Sequence, residues 1–137
     1  MKLAYLSITG NVRAFIDELN VEEEDLIEIS DSEFPDKVGE KFILFAPTYD
    51  SYMTECLDEF LNESDNIMNC IGIVASGNRN FGDEGYIFTA KDLSRKYKLP
   101  ILHDFEYAGL VTDIEEVQSL INKYKGENKI GKISRIK

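Results

Sequence analysis

The sequence predicts a single α/β domain built on a parallel β-sheet, and three observations carry that expectation. Strand-like apolar runs alternate with stretches of helical spacing along the 137 residues. Two of the runs, Phe42-Ile43-Leu44-Phe45-Ala46 and Cys70-Ile71-Gly72-Ile73-Val74-Ala75, are apolar without interruption, as in strands buried on both faces. The connections are short, and parallel strands joined in this way need a helix in each crossover.

Residues 2–7 form the first strand, after which Val12, Phe15, Ile16 and Leu19 fall on one helix face. Residues 25–29 make a short second strand. Residues 30–40 are polar, contain Pro35 and Gly39, and read as a loop. The third strand is residues 41–47, followed by helical spacing at Met53, Cys56, Leu57, Phe60 and Leu61. Residues 70–75 are the fourth strand. Residues 86–97 form a helix with Tyr86, Ala90, Leu93 and Tyr97 on one face, ended by Leu99 and Pro100. Residues 101–106 are the fifth strand. The last helix starts near Asp113, read as its N-cap, and continues through Ile114, Val117, Leu120, Ile121 and Tyr124. These elements fit a doubly wound five-stranded sheet of order 2-1-3-4-5 with about four helices, placed on both faces. Ligands of such sheets bind beyond the carboxyl ends of the strands, at the switch point between strands 1 and 3.

Composition narrows the functional classes. A formal net charge of −11 repels a phosphate backbone and excludes nucleic acid as the expected partner. No apolar run approaches the roughly 20 residues that span a bilayer, and Met1-Lys2-Leu3-Ala4-Tyr5-Leu6 lacks a signal-peptide pattern. Cys56 and Cys70 have no CxxC spacing and read as reduced, buried thiols, which makes a cytoplasmic protein the expectation. Residues 1–125 are expected to be the folded domain and residues 126–137 a basic tail, with Lys129, Lys132, Arg135 and Lys137 against Glu127. The plain reading of that tail is a solvated C-terminus; the sharper one is a docking arm.

Three loops converge at the switch point. The first, Ser7-Ile8-Thr9-Gly10-Asn11-Val12, offers two hydroxyls, a permissive backbone and an amide at a helix opening, where N–H groups favour an anion. It lacks a Lys and Walker A spacing, which argues against nucleoside triphosphate hydrolysis. Taken alone, such a turn reads first as a helix cap. In the second loop, Ala75 to Asp83, Gly77 and Gly82 allow close approach to a planar ligand. Asn78 and Asn80 suit its polar edge, and Phe81 suits its face. The competing reading is a long polar turn pinned by one apolar side chain. The third wall is Thr48-Tyr49-Asp50-Ser51-Tyr52, where either tyrosine covers a ring or packs on the next helix. Asp50 is a residue type that tolerates left-handed backbone, and its charge would disfavour an anionic ring. Arg13 reads as a surface residue, the lone His103 as a core or edge residue, and Glu22-Glu23-Glu24-Asp25 as a solvated turn without metal-loop spacing. A phosphate-type loop beside a ring-type loop points to flavin mononucleotide (FMN).

The residues also carry a family resemblance. The first loop is similar to the phosphate loop of flavodoxins. The run Gly72-Ile73-Val74-Ala75-Ser76-Gly77-Asn78-Arg79-Asn80-Phe81-Gly82-Asp83 resembles the NrdI proteins, flavodoxin-like partners of class Ib ribonucleotide reductase. The stretch from Ser94 through Leu99-Pro100-Ile101-Leu102-His103-Asp104-Phe105-Glu106 is similar to the same family, as are Gly109 and Asp113. The resemblance spans roughly residues 2–125. It implies a flavodoxin-like fold and bound FMN, with Ser7, Thr9, Gly10, Asn11 and Val12 at the phosphate. Thr48, Tyr49 and Asp50 would stand on one side of the ring. Ser76, Gly77, Asn78, Asn80, Phe81, Gly82 and Asp83 would hold its edge and other face.

The implied role is that of an accessory activator rather than a stand-alone enzyme. Flavin reduced by an upstream reductase or reductant reacts with O2 to give superoxide, which passes to a dimanganese site in the reductase β subunit and generates a tyrosyl radical. A general flavodoxin-type electron carrier is the alternative, and a flavin-free interaction domain a third reading. Two stretches depart from the family pattern. Asp50-Ser51-Tyr52 stands where some members have consecutive glycines. Asp104 stands where a basic residue is usual, before Phe105-Glu106-Tyr107-Ala108-Gly109-Leu110.

Overall fold

Strand β3 (Phe42–Ala46) is buried at every position and forms the centre of the sheet. The computed structural model describes residues 1–31 and 37–136; the side chains of Phe81, Asp83, Glu84 and residues 127–136 lie outside the description, as does Pro35 of the expected loop. Around β3 stand β1 (Lys2–Tyr5), β2 (Leu26–Glu28), β4 (Cys70–Gly77) and β5 (Ile101–Glu106). All pair in parallel, in the order β2-β1-β3-β4-β5 that the sequence predicts.

Alternation along β3 divides the core between two faces. Phe42, Leu44 and Ala46 pack with Leu57, Phe60 and Leu61 of α2 (Ser51–Asn62) and with Ala90 and Leu93 of α4 (Phe88–Tyr97). Ile43 and Phe45 pack on the other face with Val12, Phe15 and Ile16 of α1 (Asn11–Asp17) and with Val117 and Ile121 of α5 (Val111–Ile136). The uninterrupted apolar run is therefore the signature of a strand covered on both sides.

Strand ends shift by one or two residues, and three helix boundaries differ from the sequence reading. The expected helix over residues 86–97 begins only at Phe88, because Ile87 is left-handed (φ 51°), and Gly82–Gly85 forms a separate single turn, α3. The last helix starts at Val111, so Asp113 is not its N-cap. Instead, Asp113 Oδ2 accepts the Leu110 N–H at 2.8 Å, the reach-back of a capping box, while Leu110 O accepts from Ile114 N at 3.1 Å. The backbone then stays helical through Gly126 to Ile136, since one glycine costs about 1 kcal/mol of helix propensity without ending a helix. The basic side chains of the expected tail lie outside the described residues. Among the described residues no helix is long and apolar enough to cross a membrane.

Phe15 stacks on Phe105 with ring centroids 4.0 Å apart and planes 11° from parallel, which seats α1 against the exit of β5. Gly109 lies against the same ring. Its φ is +82°, and a Cβ there would stand 2.5 and 2.7 Å from Phe15 carbons. Gly109→Ala should therefore lose about 2–4 kcal/mol through left-handed strain and overpacking. Urea unfolding measures this, and a loss below about 1 kcal/mol would show that Phe15 moves aside at little cost.

Cys56 and Cys70 are free thiols, the first buried and the second half-buried. Burial, reinforced by the Asp31 carboxylate, pushes the Cys56 thiol from its ordinary 9.0 up to about 11. Burial alone pushes Cys70 to about 12. An unfolded thiol ionises first, so these groups contribute stability that is complete below about pH 9 and is lost as pH rises through the folded values. Between pH 9 and about 11 the decline in urea midpoint should be shallower in Cys56→Ala than in the wild type. Parallel declines would refute the assignment.

Candidate functional site

The first loop leaves β1 with Leu6 still bonded through its N–H to Phe45 O at 3.2 Å. Gly10 turns the chain with φ +94°, and its carbonyl receives the Ala14 N–H at 2.9 Å as α1 begins. Ser7 Oγ accepts the Arg13 N–H at 3.2 Å, so Ser7 caps the helix. Thr9 and Asn11 take no part in that cap. Arg13 turns outward, donating to Tyr5 Oη at 2.7 Å, to Asp17 at 2.8 Å and to Glu23 at 2.9 and 3.0 Å. The acidic turn is accordingly more than a solvated corner, because Glu23 anchors Arg13 and Asp25 pairs with Lys2 at 3.4 Å. Among the described residues no cluster of His, Cys, Asp and Glu could hold a metal ion.

The third loop is held from two sides. Buried Thr48 donates through Oγ1 to Ser76 O at 2.7 Å. Buried Thr89, on α4, accepts the Tyr49 N–H and donates to Tyr49 O, each at 3.3 Å. Tyr49 Oη in turn donates to Thr9 Oγ1 at 2.8 Å, joining the third loop to the first. Asp50 occupies the N-cap of α2 at φ −55° and ψ 146°, so it does not use the left-handed freedom expected of its type. An N-cap residue takes extended backbone, and that requirement decides its conformation. Tyr52 is 71% exposed and covers neither the cleft nor the helix behind it.

The second loop is tied to the end of β5. Ser76 Oγ donates to Tyr107 O at 3.3 Å, and the Tyr107 N–H points to Gly77 O at 3.4 Å. Asn78 Oδ1 accepts the Asn80 N–H at 2.9 Å, opening the 3₁₀ turn Arg79–Phe81. Arg79 Nε pairs with Glu106 at 3.1 Å, and its guanidinium lies 4.1 Å from the Tyr86 ring centroid. Tyr86 Oη donates to Asp104 at 2.9 Å. Burial, then this bond to a carboxylate, raises the Tyr86 phenol well above its ordinary range and keeps it protonated. His103 is a structural clamp, with Nε2 2.8 Å from Asp113 and Nδ1 3.2 Å from Glu116, both on α5.

Between the loops lies a cleft of about 270 Å³. Of the sequence-predicted residues, Thr9, Asn11, Val12, Thr48, Tyr49, Ser76, Gly77 and Asn78 line it, joined by Ile8, Pro47 and Tyr107. Ser7 and Gly10 shape the turn behind it, while Asp50, Asn80 and Gly82 fall outside the lining. The side chains of Phe81 and Asp83 lie outside the described residues. Among the described residues none of the lining side chains is charged, although the chain carries 26 carboxylic residues. Hydroxyls and amides stand at the first-loop end, and two tyrosines complete the wall.

A family profile described as "NrdI Flavodoxin like" matches residues 3–119. The chain belongs to the NrdI flavodoxin-like family. It is 32% identical over 132 residues to "Protein NrdI" of Mycoplasma pneumoniae, covering 91% of this chain and 84% of that protein. "Protein NrdI" of Mycoplasmopsis pulmonis is 31% identical over 128 residues, 88% of this chain and 82% of its own length. An NrdI-like protein of Streptococcus pneumoniae is 30% identical over 144 residues, 88% and 92% of the two chains. The NrdI profile spans all three cleft loops, from β1 into α5.

Sequence reasoning missed Thr89 and Tyr107. Thr89 sits on a helix with nothing local to mark it, and its role arises from a contact 40 residues away. Tyr107 was visible only as a departure from the family pattern. Thr89→Val should leave the Tyr49 N–H unsatisfied and lose about 1–3 kcal/mol, with faster hydrogen exchange at that amide. An unchanged exchange rate would sink the anchoring role.

Proposed function

We propose that the chain binds FMN in this cleft and, once reduced, supplies superoxide from O2 to the dimanganese site of a class Ib ribonucleotide reductase β subunit. The observation that carries the reading is the cleft at the sheet's switch point, where hydroxyl and amide donors meet two tyrosines and, among the described residues, no lining side chain is charged. An anionic phosphate fits a wall with no carboxylate among its described residues, and a planar ring fits a wall of tyrosine, glycine and asparagine. Membership of the NrdI flavodoxin-like family supports the same ligand and partner.

On this reading Thr9, Asn11 and the Gly10–Val12 backbone hold the phosphate, with Ser7 supporting the turn. Thr48 and Tyr49 stand on one side of the ring, with Asp50 beyond them at the N-cap of α2. Ser76, Gly77 and Asn78 hold its edge, and the loop continues through Asn80, Phe81, Gly82 and Asp83. Bound FMN supplies the electron transfer and the reaction with O2. The chain supplies binding, orientation and exclusion of water. Residues 1–125 make up the FMN-binding unit, and electrons come from an upstream reductase or reductant in the cytoplasm.

The rim supports docking of a protein at the cleft. Ile8 and Tyr107 line the cleft and remain 37% and 53% exposed, while Leu110 and Val111, just beyond β5, are 71% and 70% exposed. Large apolar groups kept in water beside a functional opening mark an interaction surface.

The purified protein should carry near-equimolar FMN by its visible spectrum. A manganese-loaded cognate β subunit should gain tyrosyl radical, read by electron paramagnetic resonance, only when reduced protein and O2 are both added. Flavin-loaded protein that produces no radical would leave the electron-carrier reading; protein without flavin absorption would remove both.

A further inference from the structure

Thr9 is an exposed residue on a turn, and a hydroxyl proton rotates to suit its neighbours. What distinguishes this hydroxyl is its partner. Tyr49 Oη donates to Thr9 Oγ1 at 2.8 Å from the opposite wall of the cleft. Both ends of that bond are fixed. The Tyr49 backbone is held at its N–H and its carbonyl by Thr89, and the preceding Thr48 is bonded to Ser76 O. The turn that carries Thr9 is set by Gly10 at φ +94° and by the Ser7–Arg13 cap. The contact therefore joins two positioned frameworks.

We propose that Tyr49 is a positioning residue for the phosphate end of the site: by donating to Thr9 Oγ1, it commits the Thr9 O–H to donate into the cleft, toward the phosphate monoester of the flavin. The inference rests on the FMN reading above and adds that Tyr49 acts through its hydroxyl as well as its ring.

The proton count supports it. A threonine hydroxyl has one donor and two acceptor sites. With one acceptor site filled by Tyr49, the donor must find another oxygen, and among the described residues no carboxylate lines the cleft to capture it. A phosphate oxygen in the cleft completes a chain Tyr O–H to Thr O–H to anion, in which each bond polarises the next. Because the second bond needs the phosphate, Tyr49 favours the phosphorylated flavin over riboflavin.

The test titrates flavin-depleted protein with FMN and with riboflavin, following flavin fluorescence, in wild type, Tyr49→Phe, Thr9→Val, Thr9→Ser and the Tyr49→Phe combinations. Phenylalanine keeps the ring and removes only the hydroxyl. Tyr49→Phe should weaken FMN binding about 5-fold and leave riboflavin within about 2-fold. That loss should vanish in the Thr9→Val background and persist in Thr9→Ser. Equal losses for both ligands, no loss for FMN, or an undiminished loss in the Thr9→Val background would overturn the positioning role. Wild-type protein that binds no FMN, or binds riboflavin equally well, would overturn the phosphate reading and the positioning role with it.

Discussion

The burial of β3 on both faces is the constraint on which the rest of the molecule depends. Its five residues carry no polar side chain, so the segment Phe42–Ala46 is stable only where helices cover both sides. Fully burying each Phe or Leu contributes roughly 1.5–3 kcal/mol, enough to dominate any weaker local preference nearby. Covering both faces with right-handed crossovers sends the chain one way from β1 to β2 and the other way from β3 onward. The loops after β1 and β3 therefore part company, and the opening between them is the cleft. The site is a geometric consequence of how the core is covered.

A cleft formed by diverging loops needs bonds to keep its walls in place, and this chain uses hydroxyls. Thr48, Thr89, Ser76 and Tyr49 each donate across loops, and three of these residues, Thr48, Ser76 and Thr89, are buried. Each such bond contributes only about 1 kcal/mol net, but an unmade one in the interior costs up to about 3, so the arrangement is specified more strongly than it is stabilised. The exposed ion pairs of Arg13 and Arg79 are worth about 0–1 kcal/mol apiece. Their effect is positional: Arg13 fastens the acidic turn to α1, and Arg79 fastens the second loop to β5.

The fold was legible because burial imposes period. Apolar runs at 42–46 and 70–75, with helical spacing between them, contain the layered architecture, and the topology then follows from general rules. The loop residues were legible because Gly, Asn and Ser recur where backbone must turn sharply. Ile87 was not legible, because a β-branched residue in left-handed backbone contradicts every local preference and is imposed by its buried surroundings. Nor was the reach-back of Asp113, which looks like an N-cap until Leu110 is seen to hold that position. Thr89 and Tyr107 act through partners distant in sequence, and a pattern read along one chain does not contain those distances.

The two acidic departures from the family pattern gain a physical sense from the same geometry. Asp50 sits at the N-terminus of α2, where the helix dipole favours a negative charge, and it stays outside the cleft lining. Asp104 receives the Tyr86 hydroxyl and lies 3.8 Å from Arg79, so its charge is answered within the fold. At an effective dielectric of about 20, a carboxylate about 4 Å from a phosphate charge would cost about 4 kcal/mol, several hundred-fold in affinity. A chain of net charge −11 that is to hold an anion has to keep its acids away from that one opening. Both departures meet that condition, which is why acids at these positions are compatible with the proposed ligand.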